Sequence, residues 1–218
     1  MSQPALGRSA AMLAGALTIG LLAAAPVSAD VIGDWNSAVV PPPPELKDVT
    51  IDPSTTALLI LDLMKQGCGA RPRCVASVPN VKRLHDQARA KGMMIWYSLV
   101  GSNGKATPDD VIDASIKPRD GEWYRAGGPD KFLGSTLQAY LKQRGIKTVI
   151  VCGTSFQGVG VGVGSGAAQR GYKVIIPVDC LSSEDAYHEQ YAAFHLAKGG
   201  PAGVTSQVTL TRSTMIKF

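Results

Sequence analysis

From residue 54 onward, runs of apolar residues alternate with segments whose apolar positions recur at helical spacing. Thr55 to Asp62, Met93 to Val100, Thr148 to Gly153, Lys173 to Asp179 and Gln207 to Thr211 are apolar along most of their length and predict strands. Val81 to Lys91, Leu133 to Arg144, a small-residue segment ending at Arg170, and Glu184 to Ala197 predict the helices between them. Strands without a polar face, separated by helices, imply a mainly parallel sheet of about six strands covered on both sides. The expected class is α/β, a three-layer αβα arrangement with Rossmann-like topology.

The stretch Lys147 to Arg170, KTVIVCGTSFQGVGVGVGSGAAQR, is the most informative. Its β-branched run stops at Gly153 and restarts as a small-residue helix, which places residues 154–160 at the carboxyl end of a parallel strand. Ligands bind at that edge in open α/β sheets. Thr154, Ser155, Gln157, Gly158 and Val159 are therefore candidate substrate-binding residues. Gly162-Val-Gly164-Ser-Gly166-Ala167 also satisfies G-x-G-x-x-[GA], with Asp179 at the end of the next strand. A dinucleotide site has its first glycine directly at the strand end, whereas residues 153–157 intervene here. Small residues that let the helix pack closely explain the run better, and free N–H groups at its start favour an anion or a developing oxyanion. No cofactor and no metal are expected.

Composition changes this picture at the amino terminus. Arg8, the apolar stretch Ala10 to Ala25 and Val27-Ser28-Ala29 form an export-signal pattern, with cleavage expected after Ala29. Pro26 interrupts the apolar stretch short of the ~20 residues a membrane span needs, so no span is expected after cleavage. Residues 30–50, with prolines at 41–44, predict a stiff arm lying on the surface or on a partner subunit. Residues 51–218 predict one domain. A periplasmic or secreted location follows.

Outside the signal, 21 basic side chains stand against 17 acidic, dispersed rather than clustered. No nucleic-acid motif accompanies them, so a nucleic-acid partner is excluded as an expectation. The expected partners are a small-molecule substrate and further copies of the chain, as a homo-oligomer. Of four cysteines, Cys68 and Cys74 flank a short turn-rich loop suited to a disulfide, while Cys152 and Cys180 end apolar strands and read as small buried hydrophobes.

Residues 101–130 are rich in turn formers and charge, with at most one short strand around Trp123 and Tyr124, and read as a loop bordering the site. Asp62 ends an apolar strand at the lip of the sheet. A carboxylate there serves either as general acid or base, tuned by burial and a nearby cation, or as a cap on the following turn. The three histidines, His85, His188 and His195, receive no catalytic role, since the spacing of the last two suits a shared surface better than ligation.

Three ordered stretches resemble the isochorismatase-like hydrolase superfamily: ALLILDLM from Ala57, DKFLGSTLQAYLKQRGIKTVIVCG from Asp130, and GTSFQGVGVGVGSGAAQRGYKVIIPVD from Gly153. The resemblance covers most of residues 55–185 and implies an Asp, Lys, Cys triad. Its Asp matches Asp62. Its nucleophilic Cys matches Val159, which cannot attack a carbonyl, and Cys152, seven residues earlier, precedes the turn and should point into the sheet. Its Lys matches Ala126 by ungapped counting, with Arg125 adjacent and Lys131 close by. Arg125 would act as an electrostatic clamp, whereas Lys131 could also transfer protons.

The resemblance implies a hydrolase acting on a vinyl ether or C–N bond through Asp62, without a cysteine nucleophile. The alternative is a non-catalytic binding protein of the same fold. On either view, strands 55–62 and 148–153 should be sheet neighbours, with Asp62 beside the helix that starts near Gly158 and Val159 on the crevice floor.

Overall fold

The computed structural model describes residues 29–101, 104–125 and 127–218. The segment assigned to the export signal lies outside them except for Ala29, as does Ala126. Residues 29–41 form one unit and 42–218 another. In the first, a single 3-10 turn spans Trp35–Ser37, and Val31, Ile32, Trp35, Val39 and Val40 are exposed.

In the second unit, β1 (Val49–Thr50) and β9 (Ile216–Lys217) form a small parallel pair, so the end of the proline-rich segment lies against the body of the unit. The main sheet contains β2 (Thr56–Leu61), β3 (Met94–Leu99), β4 (Trp123–Arg125), β5 (Thr148–Thr154), β6 (Lys173–Pro177), β7 (Leu181–Ser182) and β8 (Val208–Thr211). The order is β4-β3-β2-β5-β6-β8, with β7 paired to the end of β5, and every pairing is parallel. β2 and β3 are buried at every position, as expected for strands with a core on both faces.

Those faces hold two apolar clusters. Leu59, Leu61, Val149 and Val151 point to one, shared with Leu137, Leu141, Val163 and Ala167. Leu58, Ile60, Ile150 and Cys152 point to the other, shared with Val78, Val81 and Leu84. The alternation along each strand is the two-residue period of the pleat.

Helices α1 (Lys65–Cys68) and α2 (Pro72–Ala90) follow β2, and α3 (Leu137–Gln143) precedes β5. A π-helical turn, Phe156–Gly160, leads from β5 into α4 (Val161–Gln169). After β7 come α5 (Ala186–Phe194) and the short α6 (Ala202–Thr205). No described helix is long and apolar enough to cross a membrane.

Several boundaries move from those the periodicity predicts. α2 begins nine residues before Val81 and runs through Pro79: Pro72 starts it from an extended Arg71, which suits proline's fixed φ and missing N–H. Buried Cys74, Ser77 and Val78 anchor that added stretch. α3 begins four residues after Leu133 because Gly134 takes a left-handed φ of 64°. α5 begins after Asp185, whose carboxylate caps the amide of His188.

Candidate active site

β2 and β5 are direct neighbours, with Leu61 registered against Gly153, so their carboxyl ends open at one edge. The approach there is close. A Cβ on Gly153 would lie 2.0 Å from the Leu61 carbonyl oxygen, and its φ of 137° is one that side-chain-bearing residues rarely adopt. Only glycine fits. Immediately beyond, Asp62 takes a φ of 56°, a left-handed conformation that Asp tolerates better than most residues, and turns the chain out of the sheet.

The Asp62 side chain is buried and held from two sides. Lys131 Nζ donates to Oδ2 at 2.7 Å, and Ser98 Oγ donates to Oδ1 at 2.6 Å. Ser98 stands on β3 opposite Leu61, so the ladder itself aims its hydroxyl at the carboxylate. Lys131 is only 1% exposed. Burial pushes the Asp62 carboxyl above the usual carboxylate value, and Lys131 and Ser98 offset only part of that push. A carboxyl held in this way is suited to gaining or giving up a proton closer to neutrality than a free carboxylate.

The glycine run explains how Lys131 arrives. A Cβ on Gly162 would lie 2.6 Å from the Pro129 carbonyl oxygen, and one on Gly166 would lie 2.9 Å from Asp130 Oδ1. Helix α4 thus offers a bare backbone face on which residues 129–130 rest, and Lys131 follows directly. Gly164 faces the other way, toward Leu196 and Ile176. The run packs a loop on one side and the core on the other.

Of the two candidate cations, the structure brings Lys131 to Asp62 and not Arg125. Arg125 ends β4, two strands from β2, where its Nε donates to the Ala106 carbonyl at 2.8 Å and its guanidinium lies over the Trp123 ring. Its role as a clamp on Asp62 is corrected: a short edge strand carries it toward the 101–125 loop.

The remaining candidates gather around the turn after β5. Thr154 is buried and its hydroxyl donates to the Ser182 carbonyl at 3.2 Å, tying β5 to β7. The Thr154–Ser155 peptide is cis, and the Ser155 carbonyl accepts from the amides of Gly158 and Gly160. A Cβ on Gly158 would lie 2.7 Å from Ser155 Oγ, so a side chain there would displace that hydroxyl. Gln157 accepts from Ser183 Oγ at 2.6 Å. Val159 is buried in the same cluster as Leu61 and Phe132, the chain neighbours of Asp62 and Lys131.

Sequence reasoning missed Ser98 and Ser183. Ser98 left a faint signal, a hydroxyl within the otherwise apolar end of β3. Ser183 left none, because β7 is two residues long. Cys68 and Cys74 are joined, with Cα atoms 5.2 Å apart, while Cys152 and Cys180 are free and buried.

A family model described as the isochorismatase domain matches residues 56–209. YwoC of Bacillus subtilis (strain 168), an uncharacterized isochorismatase family protein, is 27% identical over 186 residues, covering 74% of this chain and 96% of the relative. The N-carbamoylsarcosine amidase of an Arthrobacter species is 29% identical over 130 residues, 48% of each chain. Among solved structures, N-carbamoylsarcosine amidase from Thermoplasma acidophilum shares the fold with a TM-score of 0.60 and 22% identity, over 73% of this chain and 96% of that one. With its parallel sheet, its switch from β2 to β5 and a domain match spanning most of the second unit, the chain belongs to the isochorismatase-like hydrolase family.

Proposed function

We propose that the chain is an exported hydrolase of a small molecule, cleaving a vinyl ether or C–N bond, in which Asp62 transfers the proton and no thiolate takes part. The observation that carries this reading is the buried Lys131–Asp62–Ser98 arrangement at the carboxyl edge of the sheet. A general acid or base needs its ionisation set by burial and a neighbouring cation, and this arrangement supplies both.

For a vinyl ether, protonated Asp62 would deliver its proton to the terminal carbon. Water would add to the oxocarbenium ion so formed and return a proton to Asp62, and the hemiketal would then break its C–O bond to release a carbonyl compound and an alcohol. For an amide or ureide, ionised Asp62 would take a proton from the attacking water and pass it to the departing nitrogen. Lys131 governs either route, because its charge sets how readily Asp62 ionises. The Arthrobacter relative's activity, named for a carbamoyl substrate, supports including C–N bonds. Val159, at the position matching the family's cysteine, supports a route in which water attacks directly.

Thr154, Ser155, Gln157 and Gly158 would line the substrate's path at the turn. The joined Cys68 and Cys74 support an oxidising compartment. Self-association is part of the proposal: residues 29–41 expose Val31, Ile32, Trp35, Val39 and Val40, an apolar group of the kind that often marks contact surfaces.

A panel of amides, ureides and vinyl ethers, assayed with wild type and Asp62→Asn, tests the chemistry. Turnover of one class by wild type and its loss by at least about 100-fold in Asp62→Asn is expected, the usual scale for a positioned acid or base. Binding of panel members without turnover would reject the hydrolase and leave the binding protein.

A further inference from the structure

Cys68 and Cys74 close a small loop, one end of which connects to Asp62 and the other to the turn after β5. At one end, the Cys68 amide donates to the Met64 carbonyl at 2.8 Å, and the Met64 amide to the Asp62 carbonyl at 2.9 Å. At the other, Arg73 precedes Cys74 in the first turn of α2. Its Nε donates to Glu189 Oε1 at 2.9 Å, and its Nη2 pairs with Oε2.

The contacts continue inward from there. Glu189 Oε1 accepts the Ser183 amide at 2.9 Å, and the fully buried Ser183 donates its hydroxyl to Gln157 at 2.6 Å. Gln157 belongs to the turn that carries Gly158 and Val159. One run of contacts therefore leaves Asp62, crosses the disulfide and returns to the turn at the end of the neighbouring strand.

Stability does not explain the outer part of this run. The Arg73 and Glu189 side chains are 47% and 20% exposed, and a pair so wet contributes little to stability. What the pair does supply is direction, because a fork of two bonds fixes the angle of the carboxylate as well as its distance. The closed loop denies the chain around Arg73 much of the freedom it would otherwise have.

We propose that Arg73 is a positioning residue: held by the Cys68–Cys74 bridge, it orients Glu189, Ser183 and Gln157, and through them the turn Phe156–Gly160. The geometry of the site then depends on the oxidation state of one bond. A dithiol reductant would give two electrons and two protons to that bond, leaving two thiols and itself closing to a disulfide. The other two cysteines are free, so the chain offers the reductant no second disulfide. Only the catalytic consequence rests on the hydrolase reading.

Hydrogen exchange on the full chain tests the proposal without a substrate. The Gly158 and Gly160 amides, both bonded to the Ser155 carbonyl, report on the turn. In Arg73→Ala they should exchange at least about fivefold faster than in wild type, with Arg73→Lys between the two, while amides of β2 and β5 keep their rates. Because the bridge is buried, a Cys68→Ser/Cys74→Ser protein serves beside dithiothreitol treatment, and both should loosen the same two amides. Unchanged rates at Gly158 and Gly160 in Arg73→Ala, or acceleration spread equally over β2 and β5, would overturn the proposal. Once a substrate is known, Arg73→Ala should raise KM more than it lowers kcat, because the turn it positions lines the substrate's path, and should leave the pH limb of Asp62 in place. If the turn responds as expected but no form of the protein turns anything over, positioning stands and the hydrolase reading falls.

Discussion

Lys131 and Asp62 are 69 residues apart in sequence, yet Nζ lies 2.7 Å from Oδ2 with both side chains withdrawn from solvent. Neither charge would be tolerated there without the other, because desolvating a single ion costs several kcal/mol. The pair should therefore behave as a unit. Lys131→Met is expected to destabilise the protein by about 3–5 kcal/mol at neutral pH, the scale for an uncompensated buried charge. Adding Asp62→Asn to it should restore much of the loss, as read by urea unfolding. A double variant as unstable as the sum of the two singles would show that the groups are not coupled.

The raised pKa of Asp62 predicts where activity changes with pH. Burial is the leading cause and pushes the value above 3.8, while the charge of Lys131 pulls it down. The limb of kcat/KM that belongs to Asp62 should lie above 3.8. If Asp62 works as the acid, activity falls as pH rises through that limb, and if as the base, activity falls as pH drops through it. In residual activity of Lys131→Met, the limb should move upward, since removing a cation favours the protonated carboxyl. A downward move would contradict the assigned geometry.

The strands that frame this site are legible in the sequence because burial on both faces leaves an unmistakable apolar run. TALLIL and TVIVCG end where the structure ends or nearly ends β2 and β5, and their adjacency follows from the fold class. The cation was not legible. Arg125 and Lys131 are six residues apart, and the choice between them depends on the docking of residues 129–130 against Gly162 and Gly166, a tertiary event with no local periodicity. The glycines were visible, but their purpose was not. α2 was half hidden for a related reason, since a proline inside a helix reads as a boundary until packing and Pro72 at the start override it.

Helix α4 makes that docking testable. Gly162→Ala would set a methyl 2.6 Å from the Pro129 carbonyl, a backbone atom that can yield only by moving the loop that carries Lys131. A stability cost of about 1–3 kcal/mol is expected, typical of overpacking, together with a fall in activity of at least about tenfold. Gly203→Ala is the control: nothing lies within 4 Å of a Cβ there, and the change should leave activity unaltered and stability unchanged or raised by up to about 1 kcal/mol. Equal effects of the two substitutions would mean that Gly162 is merely a helical glycine.

The proposed mechanism without a thiolate can be tested in both directions. Burial, followed by the neighbouring Cys152 and Asp179, raises the Cys180 thiol well above its ordinary value, and neither free cysteine reaches solvent. Activity should therefore survive iodoacetamide under native conditions, because alkylation requires an accessible thiolate. Inactivation traced by mass spectrometry to Cys152 or Cys180 would overturn that mechanism. The converse experiment places a thiol at 159, the position that the resemblance matches to the family's nucleophile. Val159→Cys replaces one small buried side chain with another no larger, so folding should be kept to within about 1.5 kcal/mol. If position 159 faces the paired Asp62 and Lys131, as proposed, a new thiol there is expected to react with iodoacetamide faster than Cys152 or Cys180, and to add amide hydrolysis that the alkylation abolishes. A thiol at 159 that reacts no faster than the two buried cysteines would mean that this position faces the core rather than the substrate, and the turn would lose its place in the site.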